Sequence, residues 1–247
     1  MPGIGDQIEK ISQNVREKLL SLGRSPDDCL IVAVSKTHPA ETVLQAIKAG
    51  ITDIGENKVQ EASLKLSQIR SLLPASEPMP QFHFIGRLQS NKVKQLMSLR
   101  PYLIQSVDSL KTARLISDYA QNPADEGSTF VQDILIQVNT SMEASKSGVS
   151  PEAAEDLVAS VVKLKGVRIR GLMTIGPLTD DPVRIRASFR QLKDMFDTMK
   201  RKYGERKGMD WLSMGMTDDH LMAIEEGANL VRIGSAIFGY RNYGGTP

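Results

Sequence analysis

A lysine stands directly behind a short apolar run: Leu30-Ile31-Val32-Ala33-Val34-Ser35-Lys36. An amine carried to the end of a buried strand is partly desolvated, which disfavours its charged form and frees it to attack a carbonyl carbon. The plainer reading is an ion pair with a carboxylate such as Glu56, and position alone favours it, because structural ion pairs outnumber reactive lysines. Two later segments, Ser213-Met214-Gly215-Met216-Thr217 and Arg232-Ile233-Gly234-Ser235, are rich in glycine and hydroxyl side chains. Glycine lets an anion approach the backbone, hydroxyls donate to it, and a helix beginning at Ser235 adds unpaired N–H groups. A tight loop with a helix cap is the structural alternative for the Gly-Ser pair. Whether amine and anion site can meet depends on the elements between them.

Those elements alternate. Ile8, Ile11, Val15, Leu19 and Leu22 recur at helical spacing, so the first two dozen residues read as an amphipathic helix stopped by Gly23 and Pro26. Short apolar segments then read as strands at Leu30–Val34, Thr52–Gly55, Phe82–Ile85, Tyr102–Val107, Ile134–Val138, Ile169–Met173, Trp211–Met214 and Leu230–Ile233. Helical patterns separate them: Ala40–Ala49, Lys58–Leu73, Asn91–Leu99, Ser109–Ala120, Pro151–Leu164, Pro182–Tyr203 and Asp218–Glu226, with a last turn at Ser235. Strands alternating with helices argue for a parallel sheet. No G-x-G-x-x-G follows the first strand, and eight strands in 247 residues favour a single closed (β/α)8 TIM barrel with an additional N-terminal helix. Pro74–Pro80 and Gln121–Ser128 read as surface loops, so residues 1–247 are taken as one domain.

Composition narrows the partners. Thirty-one basic residues against 29 acidic ones leave +2, no basis for a nucleic-acid or anionic-membrane partner. The lone cysteine, Cys29, excludes an internal disulfide and suits a reducing compartment. Asp6 and Glu9 in an N-terminus without an apolar segment do not read as a secretory signal, so a cytoplasmic monomer is expected. The three histidines have no zinc-ligand spacing, and Met214 and Met216 read as packing, so no metal is expected.

In such a barrel the site lies at the C-terminal ends of the strands. That rule selects Ser35–His38 after strand one, Gly55–Asn57 after strand two, His83 and Gly86-Arg87 at strand three, and the two glycine-rich segments after strands seven and eight. A phosphate site after strands seven and eight recurs in this fold. A carbonyl-seeking amine and a phosphate cradle at one mouth are what pyridoxal 5′-phosphate (PLP) requires, with Lys36 forming the Schiff base and Ser213, Gly215, Gly234 and Ser235 around the phosphate. Arg232 can only donate; facing the pyridine nitrogen it would keep that nitrogen unprotonated and the ring a poor electron sink. Its structural alternative is a rim arginine paired with Asp218 or Asp219. His83 is the one further titrating group expected at the mouth, with a hydrogen-bonded barrel histidine as the equal alternative.

The motifs Leu30–Thr37, Gly55-Glu56-Asn57 with Gln60-Glu61, His83-Phe84-Ile85-Gly86, Leu88-Gln89-Ser90-Asn91-Lys92, Ser145-Lys146-Ser147-Gly148, Arg170-Gly171-Leu172-Met173, Leu212–Met216 and Val231–Gly239 run in order from about residue 28 to 240. Together they resemble the pyridoxal phosphate homeostasis protein family, which is similar to the N-terminal barrel of alanine racemase. Arg87 departs from the pattern, which has proline there. The resemblance implies a Schiff base at Lys36, an Arg232 contact to the ring nitrogen, phosphate around Ser213, Gly215, Gly234 and Ser235, and Asn57 and His83 lining the pocket. It also implies a role in intracellular vitamin B6 homeostasis without robust catalysis, the apo forms of PLP-dependent enzymes being conceivable acceptors. The sequence shares that expectation. Eight residues follow Gly239, with Tyr240 and Tyr243 among them, where alanine racemases add a β domain. Two rivals stay open: a weak PLP-dependent amino-acid racemase, and a cofactor-free Schiff-base aldolase acting on a phosphorylated sugar.

Overall fold

A computed structural model describes residues 3–122, 128–143 and 146–239. Eight parallel strands close into a barrel in chain order: β1 (Leu30–Val34), β2 (Asp53–Glu56), β3 (Gln81–Phe84), β4 (Leu103–Val107), β5 (Gln132–Gln137), β6 (Val167–Met173), β7 (Trp211–Ser213) and β8 (Leu230–Ile233). Closure is made by β8 on β1, with Leu30 beside Leu230 and Val32 beside Arg232. The helices are α1 (Ile4–Ser21), α2 (Ala40–Lys48), α3 (Val59–Leu72), α4 (Val93–Met97), α5 (Leu110–Ala120), α6 (Pro151–Val161), α7 (Pro182–Lys207), α8 (His220–Glu225) and α9 (Ser235–Phe238). The (β/α)8 barrel with its additional N-terminal helix is therefore the architecture observed.

Differences from the sequence reading are confined to element ends. The helix expected over Asn91–Leu99 opens as a 3-10 turn, Ser90–Lys92, and ends at Met97. The long helix outruns Tyr203 to Lys207, where Gly208 caps it at φ +65°. Helix α1 buries Ile8, Ile11, Val15 and Leu19 as its periodicity requires, but Leu22 caps its C-terminus and stays 41% exposed. Residues 123–127 of the loop expected at Gln121–Ser128 lie outside the described residues, as do Tyr240 and Tyr243.

Strand periodicity positions the site. Successive side chains alternate across a strand, and here the two faces meet different environments. Outward residues Ala33, Ile54, Phe84, Ile104, Ile134, Leu172, Leu212 and Val231 join the helices in one large core. Inward residues Val32, Leu103, Leu135, Met173 and Leu230 form a small apolar plug inside the barrel. Both faces are buried, so the strands are apolar without a polar-out alternation. The inward set also holds Asp53, His83, Gln105, Ser213 and Arg232, all at most 4% exposed. At the other rim, Asp133 accepts two bonds from Arg168 and one from Arg170 (2.6–2.8 Å), tying the starts of β5 and β6 together.

Candidate functional site

A cavity of about 750 Å3 opens at the C-terminal ends of the strands. Much of its lining continues the inward parity of the strands: Val34 from β1 and Lys36 after it, Asn57 after β2, Ile85 and Arg87 after β3, Gln137 from β5, Ile175 after β6, and Arg232 and Gly234 at β8. Parity thus carries Lys36 and Arg232 into one space from opposite sides of the closing seam. Among the described residues, four of the lining side chains are cationic (Lys36, Arg87, Lys146 and Arg232) against one carboxylate, Asp218. A donor set of that kind favours an anionic ligand.

The residues flanking Lys36 are held from outside the barrel. Ser35 and Glu56 have outward parity and meet α3 rather than the cavity. Ser35 Oγ donates to Glu56 Oε1 at 2.6 Å, and Lys65 Nζ donates to the Ser35 carbonyl and to Glu56. Lys65 also reaches Glu61 at 3.1 Å, and Glu61 accepts the backbone N–H of Thr37. Thr37 sits at φ +70°, a left-handed conformation that a β-branched residue seldom adopts. The two neighbours of Lys36 are thereby tied to one buried ion cluster. Burial pushes the Glu56 carboxyl above its usual range, against the opposing pull of Lys65 and Ser35. Burial acts the same way on Glu61, but the Thr37 N–H and Lys65 outweigh it and leave that carboxyl low. The pairing of Lys36 with Glu56 weighed from sequence is replaced: the cation on Glu56 is Lys65.

Arg232 is no rim arginine paired with Asp218 or Asp219. It is 3% exposed, and its two terminal nitrogens donate to Ser213 Oγ and, at 2.7 Å, to the Thr174 carbonyl. Burial pulls its pKa down to about 10, Asp219 opposing at a distance, which leaves it protonated at neutral pH.

Of the residues named from sequence, Lys36, Asn57, Arg232, Gly234 and Ser235 line the cavity together, whereas His83, Ser213 and Gly215 do not. His83 lies in the barrel interior between Asp53 Oδ1 (2.7 Å) and Gln105 Nε2 (2.9 Å), where neighbouring strands close over it. The imidazole that lines the cavity is His38, its ring 5.1 Å from that of Phe238. The Ser213 hydroxyl is engaged inside the barrel by Arg232 and Gln105. Gly215 is required by packing: at φ +92°, an added Cβ would come within 2.6 Å of the Ala223 Cβ on α8. Gly234 differs, since an added Cβ would come no closer than 3.4 Å to Val34 atoms and the fold alone does not demand glycine there. Beside it, Ser235 Oγ and the Ala236 N–H point to Thr217 Oγ1 at 3.2 and 3.4 Å.

Gln137, Lys146 and Ser147 also line the cavity, although the sequence reading named none of them as a site residue and met Lys146 and Ser147 only within a family motif. They belong to β5 and its following loop; the strand-end rule, applied to that strand, would have named them. Lys146 is anchored by Glu143 at 3.0 Å and by the Gly176 carbonyl. Arg87, the departure from the proline of the family pattern, is exposed at the cavity rim. The preceding Gly86 lets the chain cross so close to Asn57 that a Cβ would fall 2.0 Å from the Asn57 carbonyl oxygen.

Comparison with known proteins agrees with this fold. Residues 7–242 match the family model of the alanine racemase N-terminal domain. The pyridoxal phosphate homeostasis protein of Pseudomonas aeruginosa is 40% identical over 244 residues, 99% of this chain and 98% of that one. Among solved structures, an unknown protein from Bifidobacterium adolescentis superposes with a TM-score of 0.83 at 33% identity, covering 95% of this chain and 94% of its own. PipY of Synechococcus elongatus, solved with PLP bound, gives a TM-score of 0.75 at 31% identity, covering 91% of this chain and all of PipY.

Proposed function

Because this chain belongs to the pyridoxal phosphate homeostasis protein family, we propose that it holds PLP covalently on Lys36 and serves intracellular vitamin B6 balance rather than robust catalysis. The observation that carries the reading is the convergence of Lys36, Arg232 and the Gly234-Ser235 segment on one cation-rich cavity. About 750 Å3 is an ordinary volume for a small-molecule site. The cationic excess suits a phosphorylated ligand, and the open face of Gly234 gives the phosphate room at the backbone.

In this reading each group has a separate task. Lys36 Nζ would hold PLP through its aldehyde carbon, and the bound group would supply a carbonyl able to form an imine. The ion cluster behind Ser35 and Thr37 fixes where that amine stands. Gly234 and Ser235 take the phosphate, and Asn57 lines the wall beside Lys36. Arg232 would hold the ring nitrogen and, as a permanent donor, would leave it without a proton. A pyridine ring in that state is a weak sink for carbanion electrons, which supports a carrier over an enzyme. The exposed rim residues Arg87, Met216 and Asp218 leave the mouth within reach of free amines or of apo enzymes that accept the cofactor. Action as a cytoplasmic monomer completes the proposal; no helix among the described residues is long and apolar enough to cross a membrane.

The deciding measurement is spectroscopic. Protein saturated with PLP is expected to show an imine absorbance band that Lys36→Ala abolishes, and borohydride reduction followed by peptide mapping is expected to mark Lys36. An unmodified Lys36 overturns the proposal, and a colourless protein that still cleaves a phosphorylated sugar favours the aldolase. A weak racemase is the second reading, favoured by His38 and Asp218 lining the same cavity as Lys36. Rapid exchange of the α-hydrogen of L-alanine or L-serine in deuterated water would select it.

A further inference from the structure

Arg232 is a buried cation whose own hydrogen bonds end on neutral oxygens. A charge in such a place needs compensation or it shifts its titration. Asp219 opposes that shift from a distance, and the hydrogen bonds of Arg232 lead across the barrel to a second carboxylate. Ser213 Oγ meets Gln105 Oε1 at 2.7 Å, Gln105 Nε2 meets His83 Nδ1 at 2.9 Å, and His83 Nε2 meets Asp53 Oδ1 at 2.7 Å. Four strands, β8, β7, β4 and β3, contribute in turn before β2 supplies the carboxylate. Gln105, His83 and Ser213 are fully buried.

The chemistry of the ends dictates the direction. Arginine can only donate, so Ser213 Oγ accepts from it and its own hydrogen must go to Gln105. The Gln105 atom receiving that hydrogen is its carbonyl oxygen, which turns the amide NH2 toward His83. Nδ1 of His83 must then be an unprotonated acceptor, so Nε2 carries the hydrogen and donates to Asp53. Every bond runs one way, from cation to carboxylate. A proton on Nδ1 would oppose the Gln105 NH2 and turn the amide over. That would set NH2 against the Ser213 hydroxyl and leave Arg232 facing a misdirected donor.

We propose that Ser213, Gln105 and His83, anchored on Asp53, are positioning residues that fix the Arg232 guanidinium at the floor of the cavity. Resting on the PLP reading above, this assigns to three residues that never touch the ligand the setting of the ring-nitrogen contact.

The test uses Ser213→Ala and Gln105→Glu, each checked for folding by thermal denaturation. In protein free of cofactor, 15N NMR of the wild type is expected to show His83 as the Nε2–H tautomer. Ser213→Ala, two side chains away, is expected to release Gln105 and convert His83 to a tautomer mixture. Gln105→Glu keeps an acceptor for Ser213 and is expected to hold Arg232 in place while forcing a proton onto His83 Nδ1. With PLP added, Ser213→Ala is expected to bind about tenfold more weakly with an altered absorbance band, and Gln105→Glu to retain the wild-type band. An Nδ1–H tautomer in the wild type, or Ser213→Ala with unchanged His83 signals and spectrum, overturns the relay. Should the wild type take up no PLP, the functional reading fails, while the NMR arm still decides the relay.

Discussion

Replacing Lys65 with methionine removes a buried charge while roughly conserving volume, and its consequences follow from the cluster beneath Lys36. The Glu56 side chain is 1% exposed and that of Lys65 5%. Glu56 Oε2 has no hydrogen-bond partner among the described residues, so Lys65 and Ser35, both on Oε1, are what compensate that carboxylate. Breaking a buried pair by deleting one partner costs about 3–5 kcal/mol. For a chain of this size each kcal/mol lowers Tm by about 2–4 °C, so a fall of roughly 6–20 °C is expected. The pH dependence has a definite sign. The Glu56 pKa is raised in the folded state, first by burial. The stability it contributes is therefore fully present below its unfolded value of about 4.5 and is lost as pH rises through the folded value. Without Lys65 that rise is larger, so the stability gap between variant and wild type should narrow as pH falls from neutrality toward 4.5. Glu56→Gln in the same chain should restore much of the loss, since an amide needs no counter-charge. Urea denaturation at several pH values measures all three. A loss below about 1 kcal/mol, or a gap independent of pH, would refute the assignment of Lys65 as the counter-ion.

Further expectations concern single positions. Gly215→Ala should destabilise the protein by about 1–3 kcal/mol, through its clash with Ala223 and its positive φ. Gly234→Ala should leave thermal stability nearly unchanged but weaken PLP binding, a contrast read from melting curves and a titration. Arg232→Glu should alter the PLP absorbance band and admit α-hydrogen exchange with added amino acids; an unchanged spectrum would remove Arg232 from the ring. Burial pushes the Cys29 thiol up to about 12. Iodoacetamide should therefore alkylate it far more slowly than a free thiol at pH 8, and denaturation should restore the ordinary rate.

Much of the architecture is local information. A run such as Leu30–Val34 is apolar on both faces because both are buried, and the lysine two residues beyond Val34 inherits its inward parity. Arithmetic of that kind brings Lys36, Asn57 and Gly234 to the mouth, and it would have brought Gln137 and Ile175 there had every strand been extended equally. Ser213 and Gly215, expected beside the phosphate, mark where such arithmetic stops. A glycine needed for a helix crossing and a glycine beside an anion look alike in a string of letters, and only the position of Ala223 separates them.

The partners of polar side chains inside the barrel belong wholly to the tertiary structure. Ser213 and Gln105 are 108 residues apart, and His83 reaches Asp53 across 30. No periodicity encodes such pairings, because they depend on strand register and shear around a closed sheet. Chain composition supplied the amine, the arginine and the glycines; closure of β8 on β1 decided that the first two face one cavity, and that Glu56, one residue out of phase with Asn57, serves α3 instead.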